Sequence, residues 1–301
     1  AAFTCPLGIA VVAIDAVMHG DHPQSSGADS DIGTLMAFFG MSAAFDPPWD
    51  GLRMRDNLRQ STYDKLQLLE VLRPGVDLDG DGDPDVGHTQ LGFVGASLGG
   101  MMGPELLAFA PEVQYALLIV PGARMGWVIQ HGESFDLLVS LLQDTASDSE
   151  MERIFPVLQT IIDRGDPGAY APYVLGERLA GFDQRVPHLL IQIAVDDEVV
   201  PNRTSLTLAQ ALGIPLLGDA LVPIPGVPHE PALPTAANLE PAADPTASVS
   251  AGAFQLDVIW IPELAAAGWL LPLDRFEPET DDLFPGVVAA DRWRDRLYAV
   301  P

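Results

Sequence analysis

Gln90-Leu91-Gly92-Phe93-Val94-Gly95-Ala96-Ser97-Leu98-Gly99-Gly100-Met101-Met102-Gly103-Pro104-Glu105-Leu106-Leu107-Ala108-Phe109 is the stretch on which the fold turns. Its first five residues form a short apolar run that reads as a buried strand. The residues from Gly100 onward read as the start of a helix. Between them Ser97 stands at the centre of a G-x-S-x-G pentapeptide. A serine on a tight strand-to-helix turn needs small neighbours, because the turn forces it into strained backbone with no room for flanking side chains. Such a turn lifts the hydroxyl above the sheet. It also sets the Leu98 amide at a helix N-terminus, where it can stabilise an oxyanion. The competing reading is an ordinary glycine-rich turn.

Outward from this point, β-rich runs alternate with helical stretches, which predicts an α/β fold with crossover connections. Strands are expected at 9–14, 90–94, 115–120 and 189–195. Helices are expected at Leu58 to Leu72 and Ser205 to Leu212. Apolar residues also recur at helical spacing from Phe135 to Leu142 and from Ile154 to Ile162. These two helices fall inside a segment of about 124–180 that reads as a helical cap insertion or, alternatively, as extra helical packing. From about 214 to 252 the texture turns Pro- and Ala-rich, with Pro215, Pro223, Pro225, Pro228, Pro231, Pro234, Pro241 and Pro245. Such a run resists helix and central strand alike and reads as a loop. A boundary is expected near 250–257, giving a domain over 1–252 and a short α/β fragment over 253–301. The chain begins almost directly in its first expected strand, which implies sequence upstream.

Composition narrows the classes of function. At 301 residues, 48% hydrophobic and 19% charged, the chain is long and apolar enough to bury a large core. Its 42 acidic against 15 basic residues give a net charge of -27, with no basic stripe to release counterions. Nucleic acid and anionic membrane are therefore disfavoured as partners, and neutral or apolar substrates fit. Cys5 is the single cysteine, so an intrachain disulfide and a cysteine zinc cluster are both excluded. No apolar run reaches membrane-spanning length. Oligomeric state cannot be read from the sequence.

An elbow serine is inert unless a base takes its proton and an acid orients that base. The apolar run Leu189 to Val195 leads into Asp196-Asp197-Glu198-Val199-Val200-Pro201, so acids stand just past a buried strand's C-terminal end, where sites of α/β sheets form. Asp196 and Asp197 are both candidates, and a solvated acidic turn is the alternative. The histidines are His19, His22, His88, His131, His188 and His229. Only His229 follows the acidic turn, 32 residues after Asp197 on a loop: that spacing suits a triad base, and a loop histidine among prolines is the alternative. His188 opens the acid strand and is expected to face solvent or pack. His19, just past the first expected strand, is a candidate for lining a substrate pocket or for a structural role.

Asp77-Leu78-Asp79-Gly80-Asp81-Gly82-Asp83-Pro84-Asp85 places carboxylates at alternate positions, with Gly82 allowing a sharp bend. Asp77, Asp79, Asp81 and Asp85 match the opening ligand positions of an EF-hand-type loop, which surrounds Ca²⁺ with hard oxygen donors. The twelfth position is His88 where a bidentate glutamate is usual, so affinity is expected to be reduced. Structural Ca²⁺ and a solvated acidic loop are the two readings. Neither takes part in chemistry, and no cofactor is required.

Over about residues 5–257 the chain resembles a bacterial α/β-hydrolase of the lipase/esterase kind. The resemblance rests on Val12-Ala13-Ile14-Asp15 with His19-Gly20, the Asp-rich loop, Leu91 to Gly100, and Asp197-Glu198-Val199-Val200-Pro201. It implies a mostly parallel sheet flanked by helices and the chain order serine, acid, histidine. It also implies hydrolysis of a small ester or lipid, with Ser97 as nucleophile, Asp197 as orienting acid and the Leu98 amide as an oxyanion donor. Three departures stand beside it. The family's opening strands, including one that sits between 9–14 and 90–94, would precede residue 1, leaving backbone edges unpaired inside the sheet. An alternative alignment takes Ala253 to Asp257 as a late strand, after which the family's histidine comes; no histidine follows 229, so in that alignment the base is missing. Finally, Gln255 to Asp274 and Arg296 to Pro301 resemble part of a lobe of a sugar-type extracellular solute-binding protein. Both resembled families are often exported. The functions in play are thus a serine esterase, an inactive hydrolase scaffold and, from the tail alone, a solute-binding module.

Overall fold

The computed structural model describes residues 10–25, 27, 31–42, 49–77, 80–86, 90–136, 139–140, 147–217, 226–230, 252–255, 292–293 and 296–297. Its strands are β1 (Leu91–Ala96), β2 (Val113–Ile119), β3 (His188–Gln192), β4 (Leu216–Leu217), β5 (His229–Glu230), β6 (Gly252–Gln255), β7 (Arg292–Trp293) and β8 (Arg296–Leu297). Its helices are α1 (Asp31–Phe38), α2 (Gly51–Leu72), α3 (Leu98–Phe109), α4 (Met125–His131), α5 (Asp148–Ile162), α6 (Pro167–Tyr170), α7 (Pro172–Leu175) and α8 (Asn202–Leu212). Strand and helix alternate through the centre of the chain, and the fold is α/β.

The main sheet has the order β3-β2-β1-β6, and each neighbouring pair is parallel. Leu91, Phe93 and Gly95 are buried on one face of β1. Gly95 pairs with Leu118 and Ala96 with Ile119, and Ile119 pairs in turn with Gln192. The C-terminal ends of the three strands are therefore level, which gathers the loops that follow them along one edge.

The helices form where caps and spacing direct them. Asp50 starts α2, its Oδ1 accepting from the Leu52 and Arg53 amides at 3.1 Å each. A capping box between Ser147 and Glu150 starts α5. In α8 the buried positions Thr204, Ser205, Leu208, Ala209 and Leu212 follow the helical period, and Gly213 ends the helix at φ 71°. Helix α3 differs because every residue from Gly99 to Ala108 is buried. Its Met101 and Met102 join a core with Phe38, Trp49, Met54, Met125 and Phe155, while Leu106 and Leu107 join a second with Phe93, Val113, Leu118 and Leu208. A helix buried all round is held from several sides, so the residue at its start is fixed too.

Two expectations need revision. Of the strand expected at 9–14, the described residues 10–14 form no strand and carry only an isolated bridge position at Val11. The edge of β1 on which the family's missing strand was expected is covered by β6, which pairs Gly252 to Gln255 with Gly92 to Gly95. The inner edge expected to stand unpaired is thus closed by a segment at the expected 250–257 boundary. Between β2 and β3 the described residues form helices without strand, in keeping with the helical segment expected at 124–180. Most of the Pro-rich run and of the tail resembling a solute-binding lobe lies outside the described residues.

Candidate active site

The turn after β1 has the strain that the pentapeptide implied. Ser97 sits at φ 47° and ψ -116°, outside the regions open to L-residues at low cost. Its amide donates to Ile119 O at 2.9 Å, and Met101 donates to Ser97 O at 2.9 Å, so both sides of the bend are anchored. The glycines are steric requirements. A Cβ on Gly95 would lie 2.4 Å from Gly99 O, and one on Gly100 would lie 3.0 Å from Ile119 O. One on Gly103 would lie 2.4 Å from Leu118 Cδ2, so α3 is pressed against the sheet. Helix α3 opens at Leu98 with no side-chain cap from Ser97. Its leading amides have no partner within the helix, which makes the Leu98 N–H a fitting oxyanion donor.

Strain recurs along this edge. Val120 follows β2 at φ 44° and Asp196 follows β3 at φ 58°, so each of three adjacent strands is followed by a non-glycine residue at positive φ. Backbone held this way persists only where its surroundings over-determine it, and it clusters at functional sites. Here the support is visible. Asp196 N–H donates to Asn202 Oδ1 at 2.8 Å, and Asn202 Nδ2 donates to Ala194 O. Ala123 N–H donates to Thr204 O at 3.1 Å, tying the loop after β2 to α8.

Asp197 is half-buried, and its Oδ1 accepts from Val199 N at 2.9 Å and Val200 N at 2.8 Å. Asp196 is exposed. His229 opens β5, which pairs with β4, and is exposed. The sheet thus brings the serine and the acid to one edge, whereas the histidine sits on a separate two-stranded piece. His188 is exposed and stacks on Tyr115 with ring centroids 5.4 Å apart, so it both packs and faces solvent. His19 Nδ1 lies 2.9 Å from Val17 O and its ring meets Phe38 edge-on at 5.4 Å.

In the acidic loop, Asp77 Oδ1 accepts from Gly80 N at 2.7 Å and Oδ2 from Gly82 N at 2.9 Å. Asp81 Oδ1 accepts from Asp83 N at 2.9 Å, and a Val76–Val86 bridge closes the loop. Asp85 is exposed; Asp79 and His88 lie outside the described residues. Among the described residues no three His, Cys, Asp or Glu side chains converge as metal ligands.

Two buried polar groups escaped the sequence reading. Asp166, 2% exposed, accepts from Arg124 N, Met125 N, Gly168 N and Gln159 Nε2, while Gly126 N donates to Gln159 Oε1. This cluster fixes the start of α4 to α5 and α6, close behind the strained Val120. Lys65, buried on α2, donates to Ser61 O at 3.1 Å and Met102 Sδ at 3.2 Å. Burial pulls its pKa down to about 8, against the opposing pull of Asp64 and Glu105. Glu105 Oε2 accepts from Thr62 Oγ1 at 2.9 Å, and burial raises its pKa. The available signal was composition: Lys65 is the only lysine in the sequence.

No known family model matches the chain. No helix among the described residues is long and apolar enough to cross a membrane.

Proposed function

We propose that the chain is a serine hydrolase of the α/β-hydrolase type that cleaves carboxylic esters through an acyl-enzyme on Ser97. The observation that carries this reading is the strained Ser97 backbone between a parallel strand and a helix buried from Gly99 to Ala108, with no room for a Cβ on Gly95, which would stand 2.4 Å from Gly99 O. In this mechanism a base takes the Oγ proton as the oxygen attacks the ester carbonyl. Negative charge gathers on the carbonyl oxygen and is met by the Leu98 amide. The alcohol leaves with the proton, and water then releases the acid from Ser97. His229 serves as base and Asp197 as the acid that orients it. The excess of negative charge suits neutral esters or lipids. A Ca²⁺ ion in the loop of Asp77, Asp79, Asp81 and Asp85 would brace the approach to β1 and enters no step.

One observation favours a second reading, that of a hydrolase scaffold without activity: His229 is exposed and lies in the two-stranded β4–β5 sheet, apart from the sheet that carries Ser97. A p-nitrophenyl ester assay separates the two. The esterase reading expects turnover that falls to background in both Ser97→Ala and His229→Ala. Equal background rates in all three proteins make the scaffold reading correct.

A further inference from the structure

The single lysine of this chain is placed unusually. Fourteen arginines serve elsewhere as the basic side chains, and the one amine is 9% exposed inside the fold. It lines a cavity of about 50 Å³ between residues 12–14 and β1, whose walls include Ile14, Leu69, Phe93, Leu106 and Val113. Gly95 and Gly99, the two glycines of the Ser97 turn, also border this space. The cavity is otherwise apolar apart from backbone. A guanidinium stays charged under almost all conditions, whereas a buried amine can give up its proton and become a nucleophile. Lys65 uses one carbonyl and one thioether as acceptors, fewer than an ammonium's three donors require, and burial outweighs the pull of Asp64 and Glu105 toward the charged form.

We propose that Lys65 is a covalent carbonyl-binding residue, whose amine condenses with a short aliphatic aldehyde seated in this cavity. The deprotonated Nζ attacks the carbonyl carbon, forming the N–C bond while the C=O π pair moves to oxygen. A proton passes from nitrogen to that oxygen, giving a carbinolamine. Loss of water then leaves the imine, so one amine and one aldehyde give one imine and one water, with no change of oxidation state. Apolar walls hold the alkyl chain and disfavour the returning water. The site is separate from ester cleavage and does not depend on it.

Because the chain has one lysine, the test is direct. The full-length protein is incubated with butanal and cyanoborohydride at pH 7.5, and peptide mapping distinguishes Lys65 from the terminal amine. The same reaction is run on the urea-unfolded chain and on Ser97→Ala. The expected result is reduction to a butyl-lysine at Lys65 that is at least about tenfold faster in the native than in the unfolded chain, since the depressed pKa enlarges the neutral fraction. The rate should saturate with butanal, be unchanged in Ser97→Ala and vanish from this position in Lys65→Met. Protection of Lys65 until the chain unfolds, or a native rate that rises linearly without saturating, overturns the proposal.

Discussion

Gly95 and Gly99 approach so closely that a Cβ on the first would stand 2.4 Å from the carbonyl oxygen of the second. The two glycines flank Ser97 symmetrically and let β1 fold back into α3 within three residues. Gly95→Ala is expected to force the backbone apart, at a cost of about 3 kcal/mol. Urea unfolding measures that loss, and ester hydrolysis should fall with it because the Ser97 turn is displaced. A folded, fully stable Gly95→Ala protein would mean that the turn is not tightly packed.

The strain at Ser97 has its own signature. Glycine tolerates positive φ at little steric cost, so Ser97→Gly should raise stability by about 1 kcal/mol while removing the proposed nucleophile. Thermal unfolding of Ser97→Gly beside Ser97→Ala checks this. Only the glycine variant relieves backbone strain, so only it should gain. Equal midpoints in the two variants would show that the bend stores no strain.

Asp166 presents a different kind of dependence. Three backbone amides and the Gln159 amide converge on its carboxylate in the interior. Truncation to alanine leaves buried donors without acceptors, which costs about 3 kcal/mol. Asp166→Asn keeps one carbonyl oxygen and should lose less. If the two substitutions proved equal and small, α4 would have to be held by packing alone.

Lys65 should also make stability depend on pH. Its folded-state pKa lies near 8, against 10.5 in the absence of the fold. Between those values the unfolded chain carries the proton and the folded chain does not, so stability rises with pH across roughly 8 to 10.5. Below about pH 8 both states are protonated, and the penalty is at its full size, on the order of 3 kcal/mol. Lys65→Met should remove that slope and exceed the parent in stability at pH 7. The difference between the two proteins in urea midpoints at pH 7.5 and pH 10 isolates the effect from other titrating groups.

Local chemistry was the part of this molecule most open to reading. The strand before Ser97, the helix after it and the helix over Leu58 to Leu72 follow from periodicity and small-residue placement that neighbours in sequence determine. The run at 9–14 had the composition of a strand, yet its described residues 10–14 form none. Strand formation needs a partner edge; the strand expected beside 9–14 is not in this sequence, and the β1 edge beyond it is taken by residues 252–255, far downstream. Asp197 could be placed at a sheet edge because the end of an apolar strand is a local signal. Whether His229 meets it depends on two separate β pieces, which no local pattern encodes. Asp166 was silent for the same reason: four donors from 124 to 168 reach it only after folding.

The central claim is that the Ser97 hydroxyl is an activated nucleophile, and labelling with a fluorophosphonate tests it most directly. Such reagents phosphonylate a serine whose proton is taken by a nearby base and whose oxyanion is stabilised, and they spare ordinary hydroxyls. Intact-mass measurement should show one adduct per chain, mapped to Ser97, absent from Ser97→Ala and strongly slowed in His229→Ala. A native, folded chain that takes up no label at Ser97 would contradict the account.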